Sequence, residues 1–436
     1  MSQRTPKPHE PKGRKVGQFD MFDVVAKGGF ATIHLGRTPP KDGKSDLVAI
    51  KRLHPQFVQD EEIKGMFLVE ARFAAQVEHP NVVPTLDFIE EDGELFLIME
   101  FVDGVSLGHL LETMGQRKQR IPLDIVLRIF AGALRGLHAA HTAKDEAGQP
   151  LGVVHRDVSP DNLLVGVDGE ARLIDFGVAR AIGRYQVKHE GELRGKLHYM
   201  APEQVMGREL SPQSDVFSAA AVLWQCLTGE VLFSGTTMAD LAPRIMGQAI
   251  DAPSILVPGV PAKVDQVVMR GLERDLSRRW PSAAEMAEAL EDSSTLASPA
   301  RVGKWVQKIA EERIAASADK ASAVELTPTR QDDDDEDKKR VTQASTGENS
   351  YQAVTMQVVA MPSSRKRRGK AAKPGKGAPK AHPEKRVEVA PGADAPPPPS
   401  QRLRPVEGRQ PGMADGPVST PVPSSPGLAP PASAPG

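Results

Sequence analysis

His155-Arg156-Asp157-Val158-Ser159-Pro160-Asp161-Asn162 follows the apolar pair Val153-Val154 and leads into two short apolar runs, Leu163 to Val165 and Ala171 to Ile174. Val167-Asp168-Gly169 separates the runs, and Asp175-Phe176-Gly177 closes the second. Asp-Gly between apolar runs signals a hairpin. A hairpin here carries Asp175 back beside Asn162, so Asp157, Asn162 and Asp175 converge. One carboxylate and one amide oxygen, both hard ligands, suit Mg²⁺ held jointly with substrate phosphates. The remaining carboxylate, Asp157, is then placed to accept a proton from an attacking hydroxyl. Each of the three alone reads as an ordinary loop end; only the set points to chemistry.

Upstream, side chains alternate along the run Leu47 to Leu53, so Ala49 and Lys51 share one face and Val48 and Ile50 the other. A lysine beside a small alanine suits a flat ring over Ala49 with Lys51 reaching an anion. In the following segment Ile63, Phe67, Glu70, Ala74 and Val77 fall on one helical face. Glu70 thus sits inside an apolar stripe, where a carboxylate needs a partner, and Lys51 supplies one. The loop Lys27-Gly28-Gly29-Phe30-Ala31 joins two further short strands, Phe22 to Ala26 and Thr32 to Gly36. Such a loop can turn backbone N–H groups toward phosphate, although taken alone it equally describes a plain hairpin.

The bulk numbers narrow the class. The chain has 436 residues, a net charge of −2 and one cysteine, Cys226. A disulfide framework and a thiolate zinc site are excluded, which suits a reducing, cytoplasmic setting. Met1 to Lys15 lacks the apolar core of a secretory signal, and the longest apolar run, Val216 to Leu227, is too short for a bilayer. Composition divides the chain into a flexible N-terminus (1–17), a folded body (18–293), a helical extension (294–322) and a tail (323–436). The body is β-rich to about residue 102 and helical from 103, an α+β arrangement with a cleft at the junction. In the extension, Ala300 to Ala316 reads as one helix. Tyr351 is the tail's only aromatic; such a segment cannot offset its ordering entropy, so disorder is expected. Arg365 to Arg386 carries ten Lys/Arg and one glutamate. Without interleaved aromatics it reads as a solvated linker or as a weak, salt-sensitive contact for an acidic partner or nucleic acid.

Taken in order, the glycine loop, Val48-Ala49-Ile50-Lys51, Glu70, His155-Arg156-Asp157 with Asn162, Asp175-Phe176-Gly177 and Ala201-Pro202-Glu203 resemble the protein-kinase signature set. They resemble in particular the bacterial eukaryotic-like (Hanks-type) serine/threonine kinases, across residues 18–293. The resemblance implies a two-lobed kinase fold that transfers the γ-phosphoryl of ATP to serine or threonine of protein substrates. It implies that Lys51, held by Glu70, contacts the α- and β-phosphates, that Asn162 and Asp175 hold Mg²⁺, and that Asp157 is the base. Adenine would lie among Val25, Ile33, Ala49 and Leu164, with Met99 as gatekeeper and backbone hydrogen bonds from Glu100 to Val102. The loop from Ala26 through Lys27, Gly28, Gly29 and Phe30 to Ala31 would cover the phosphates. Asp215 would orient the catalytic loop, and Arg279 would pair with Glu203.

Four departures from the family pattern carry information. Ala26 and Ala31 replace loop glycines, which is tolerable where φ stays negative. Ser159 stands where the family has lysine, and Lys196 where it has threonine. Lys196 therefore either replaces the missing cation across from Asp157 or is a solvated surface lysine. Val178 to His198 contains no serine or threonine, only Tyr185, so the usual phosphothreonine switch cannot operate; Glu190 or Glu192 could pair with Arg156 instead. The rival reading is a nucleotide-binding pseudokinase scaffold.

Overall fold

The structure, a computed structural model, describes residues 13–176 and 196–326. The small lobe contains β1 (Arg14–Val16), β2 (Phe19–Lys27), β3 (Ala31–Arg37), β4 (Leu47–Leu53), α1 (Pro55–Val58), α2 (Glu61–Ala74), β5 (Thr85–Glu91) and β6 (Glu94–Glu100). Its strands form one antiparallel sheet in the order β1-β2-β3-β4-β6-β5. Opposite residues of an antiparallel ladder share a face. The register Ile33↔Lys51↔Leu97 and Leu35↔Ala49↔Met99 therefore puts Ile33, Ala49, Lys51 and Met99 on one side. Val48, Ile50, Phe96 and Ile98 face the other and close a core with Val16, Phe19 and Met21.

Helix α2 packs Ile63, Phe67 and Ala71 on Leu53, Leu95 and Leu97, on the Lys51 side of the sheet. Asp60 caps it, its carboxylate accepting from Glu62 and Ile63 N–H; an aspartate at this position satisfies otherwise orphaned donors. The helix ends at Ala74, so Val77 lies beyond it, buried beside Val82 and Phe176.

The large lobe follows with β7 (Gly104–Ser106), α3 (Leu107–Gln116), α4 (Leu123–His141), β8 (Leu163–Gly166), β9 (Ala171–Leu173), α5 (Pro202–Val205), α6 (Pro212–Thr228), α7 (Met238–Gly247), α8 (Pro253–Leu256), α9 (Ala262–Gly271) and α10 (Ala283–Glu291). Sequence periodicity points to two strands here; among the described residues there are three, because Gly104–Ser106 pairs with Gly166–Leu164. Three residues are too few to show an alternation. Helix α6 is buried nearly all round and forms the lobe's axis. Arg279, 1% exposed, donates to Glu203 (Nη1–Oε1 2.8 Å) and to the Gln213 and Glu273 carbonyls. A buried pair so fully bonded is strongly destabilising only when one partner is removed.

Beyond the expected domain end, Pro299–Ile309 (α11) and Glu311–Leu326 (α12) are two helices. The single helix expected over 300–316 is broken at Ala310, where φ is −109° and ψ 26°. The expected tail boundary at 322 also falls inside α12. The helix continues to Leu326 because Val324, 2% exposed, has an apolar site on the small lobe to fill. Among the described residues no helix is long and apolar enough to cross a membrane.

Candidate active site

Lys51 leaves β4 toward α2, and its Nζ lies 2.6 Å from Glu70 Oε1 and 2.8 Å from Asp175 Oδ1. Burial alone would push the Lys51 ammonium down; the Asp175 and Glu70 carboxylates outweigh it and hold the group above the ordinary lysine range. The lysine therefore stays charged in a site where a lone cation would lose its proton. Glu70, 7% exposed, is buried as its position in the apolar stripe of α2 requires.

The β8–β9 hairpin delivers Asp175 as its sequence suggests. Ile174 N–H donates to the Asn162 carbonyl at 3.0 Å, which locks the outgoing end of β9 to the segment before β8. Asn162 Nδ2 donates to the Asp157 carbonyl (2.8 Å) and to Asp157 Oδ2 (2.9 Å). With its nitrogen committed to Asp157, the amide presents its oxygen on the opposite side. That oxygen and the Asp175 carboxylate are hard donors on adjoining backbone, a set that fits Mg²⁺.

The loop bearing Asp157 is fixed from below. Asp215 in the first turn of α6 accepts from His155 N–H (Oδ2, 2.7 Å) and Arg156 N–H (Oδ1, 2.8 Å). Two backbone donors on one carboxylate hold Arg156 at φ +66°, a conformation that non-glycine residues rarely adopt. His141 Nε2 lies 2.7 Å from Asp215 Oδ2, and Gln204 Nε2 donates to the Arg156 carbonyl at 2.9 Å. Neither His141 nor Gln204 was legible in the sequence: each acts across dozens of residues and carries no periodic signature. His155 Nδ1 accepts from Asp157 N–H at 3.3 Å, so Nε2 bears the proton it gives to the Ile174 carbonyl at 3.1 Å. Burial pushes the His155 pKa down against the pull of Asp215 and Asp157, keeping the ring neutral.

The nucleotide-facing candidates divide. Ile33, Ala49 and Met99 lie on the Lys51 face, and half-buried Leu164 on β8 is paired with Ser106 and Arg172. Val25 and Phe101, which lies in the hinge between β6 and β7 that joins the lobes, pack on Phe22, Leu35 and Val324. Glu100 is exposed and Val102 half-buried; Glu100 N–H already donates to the Pro84 carbonyl at 3.0 Å. In the glycine loop, Ala26 and Lys27 finish β2, Gly28 N–H donates to the Ala31 carbonyl (2.9 Å), and Gly29 completes the turn. No positive φ occurs at Ala26 or Ala31, so alanine costs the loop no backbone strain. Phe30 packs its ring against Phe57 in a tilted arrangement, 5.3 Å between centroids and 53° between planes, and its carbonyl accepts from His54 N–H at 2.8 Å. The loop tip is thereby moored to α1.

Ser159 is 2% exposed, and its hydroxyl has no hydrogen-bond partner among the described residues. Lys196 opens a short 3₁₀ turn, Lys196–Tyr199, but its side chain lies outside the described residues, as do Gly177, Tyr185, Glu190, Glu192 and the tail. Burial pushes the Cys226 thiol well up, leaving it protonated and inert.

Comparison with known proteins places this geometry. The family described as "Protein kinase domain" matches residues 19–290. A tyrosine-protein kinase, MasK of Myxococcus xanthus, is 34% identical over 63% of this chain and 43% of its own length. The serine/threonine-protein kinase PknE of Mycobacterium tuberculosis is 31% identical over 64% of this chain and 46% of its own. The chain thus spans less than half the length of these curated relatives. Among solved structures, the M. tuberculosis PknI kinase domain shares the fold at TM-score 0.50 and 23% identity, over 64% of this chain and 97% of that one.

Proposed function

The chain belongs to the protein kinase family, and from that premise we propose that it transfers the γ-phosphoryl of ATP to serine or threonine hydroxyls of proteins. One observation carries the reading: Lys51, Glu70 and Asp175 meet within 2.8 Å contacts, and Asn162 bonds Asp157 beside them. A pseudokinase scaffold would not need all five.

Each residue takes a role from its position. Lys51, charged and tethered, offers its ammonium to the phosphate end of the cleft. Asp157 accepts the proton of the acceptor hydroxyl, its direction set by Asn162 and by the pinning of the preceding backbone to Asp215. Asn162 and Asp175 supply oxygen ligands. Bound Mg²⁺, held there with ATP, would supply neutralisation of phosphate charge, the main electrostatic need of this transfer. Ile33, Ala49 and Leu164 enclose the base, with Val25 behind them against Leu35 and Phe22. With Glu100 N–H occupied by Pro84, the hinge contacts fall to the Glu100 carbonyl and the Val102 amide.

Serine/threonine preference rests on Ser159-Pro160-Asp161-Asn162, which resembles the Lys-Pro-Glu-Asn type, and on relatives such as PknE. The name of MasK favours a second reading, tyrosine as acceptor. Lys196 stands in for the cation missing at Ser159, and activity does not depend on a phosphorylated serine or threonine between Val178 and His198, since none exists.

Incubation with labelled ATP and Mg²⁺, followed by phosphoamino-acid analysis, tests these statements together. Label on serine and threonine is expected, falling by about 10²–10⁴-fold in Asp157→Asn. Label on tyrosine alone would select the second reading; nucleotide binding with no Asp157-dependent label would leave the scaffold. In the same assay Lys196→Ala is expected to be impaired and Tyr185→Phe active.

A further inference from the structure

We propose that α12 is a strap joining the two lobes beside the hinge, and that Val324, Ala321 and Arg37 are positioning residues that hold the nucleotide-facing strands over the large lobe. The proposal rests on reading the cleft as the nucleotide site.

The strap is anchored at its lower end. Val302, Val306 and Ile309 of α11 belong to the large-lobe core. Gly303 lies so close to the hairpin turn that a Cβ would collide with the Val167 carbonyl. Arg301 is bonded to Asp124 (Nε–Oδ2 2.5 Å), and Arg117 donates to the Ile309 carbonyl (3.2 Å). Ala310 then redirects the chain.

Along α12, Ile314, Ser317, Ala321 and Val324 are spaced three, four and three apart, and they are its less exposed positions. One helical face therefore rests on the body over its length. Ile314 packs on the large-lobe core, whereas Ala321 and Val324 pack on the small lobe, against Phe22, Leu35, Val25, Leu47 and Phe101. At 1.5 Å per residue, Ile314 and Val324 are separated by roughly 15 Å along the axis. A single helix thus touches both lobes.

The upper end is closed by charge. Arg37, 5% exposed, donates through Nη1 to the Val324 carbonyl at 2.9 Å and through Nε to Asp20 at 2.9 Å. The final carbonyls of a helix lack internal partners, and a cation there also complements the helix dipole. Val25 leads directly into the glycine loop, and Phe101 is the middle of the hinge, so α12 touches the roof strand and the hinge at once. Without it the hinge segment, the side-chain contacts of the cleft and the backbone bonds of Asn81 and Val83 to Leu173 would set how the lobes face each other. A broader range of lobe positions lowers apparent ligand affinity by the fraction that remains competent.

The test uses the full chain with Val324→Asp, which sets a carboxylate in an apolar socket. Hydrogen exchange of residues 311–326 and of β2–β3 is read beside the Kd of a fluorescent ATP analogue with Mg²⁺, and beside KM and kcat. Exchange in both segments is expected to rise, with Kd and KM for ATP up about tenfold and kcat within about twofold. Asp319→Ala, on the exposed face, should change none of these. If Val324→Asp does not fold, Val324→Ala is read the same way with a smaller shift. A freed α12 with β2–β3 exchange and Kd unchanged would overturn the proposal, as would an α12 still protected in Val324→Asp. A parent chain that binds no nucleotide would defeat the kinase reading, while exchange in β2–β3 would still decide the strap.

Discussion

Lys51 shows what a single side chain must satisfy here. It is 9% exposed, faces two carboxylates, and is charged because their attraction exceeds the cost of burial. Glu70→Gln keeps the shape and removes one of the two charges. The lysine should then follow Asp175 alone and lose its fixed bearing on the phosphates. Misplacement of such a group costs on the order of 10²-fold in rate; steady-state kinetics should show that fall in kcat/KM, and a change under about twofold would mean that Glu70 is dispensable. The pair was readable in advance because strand and helix periods each place one partner. His141 was not: a histidine at the end of an amphipathic helix gives no sign that Asp215, 74 residues on, lies 2.7 Å away. Ser159 and Lys196 mark the opposite case, where a departure from pattern was plain in the sequence and its geometry was not.

The segment from His155 to Phe176 behaves as one element, and its neutral histidine makes it sensitive to acid. His155 serves as an acceptor at Nδ1 and a donor at Nε2, an arrangement open only to the uncharged ring. Its folded pKa is lowered from 6.5, with Asp215, Asp157 and Asp175 as the opposing carboxylates. Below about pH 6.5 the unfolded chain binds a proton that the folded chain refuses, so stability falls as pH falls. Each unit of separation between the two pKa values is worth about 1.4 kcal/mol. His155→Gln removes this proton, so its stability deficit relative to the parent should shrink from pH 7.5 to 5.5 in denaturant titrations. His34, His79 and His109 are also lowered, but they are common to both proteins and cancel. A deficit that stayed constant would mean that His155 accepts a proton without loss. The hairpin of this element was legible from Asp168-Gly169; β7 was not, since its place is set by pairing with β8 rather than by its own three residues. The break at Ala310 was equally hidden, because alanine favours helix and only the two anchoring surfaces force the turn.

The two lobes have their own main cores and share a smaller one, in which Val77 and Val82 pack with Ala140, Val153 and Phe176, and the chemistry lies on side chains that cross between the lobes. Lys51 belongs to the small lobe's sheet and Asp175 to the large lobe's hairpin, so their 2.8 Å contact is itself a joint between lobes. A nucleotide with Mg²⁺ would enter this joint, drawing Asp175 toward metal and Lys51 toward phosphate, and so would link the lobes more strongly than the ion pair does. Ligand at about a hundred times its Kd stabilises a protein by about 2.7 kcal/mol. For a domain of this size that is a shift in Tm on the order of 5 °C. ATP with Mg²⁺ should therefore raise the Tm by about that much, and ATP with excess chelator by clearly less. Asp175→Asn should lose the metal-dependent part and keep the rest, since the ring would still rest among Ile33, Ala49 and Leu164. An Asp175→Asn protein with the full shift would remove Asp175 from the metal site, and a parent with no shift would remove the nucleotide from the cleft.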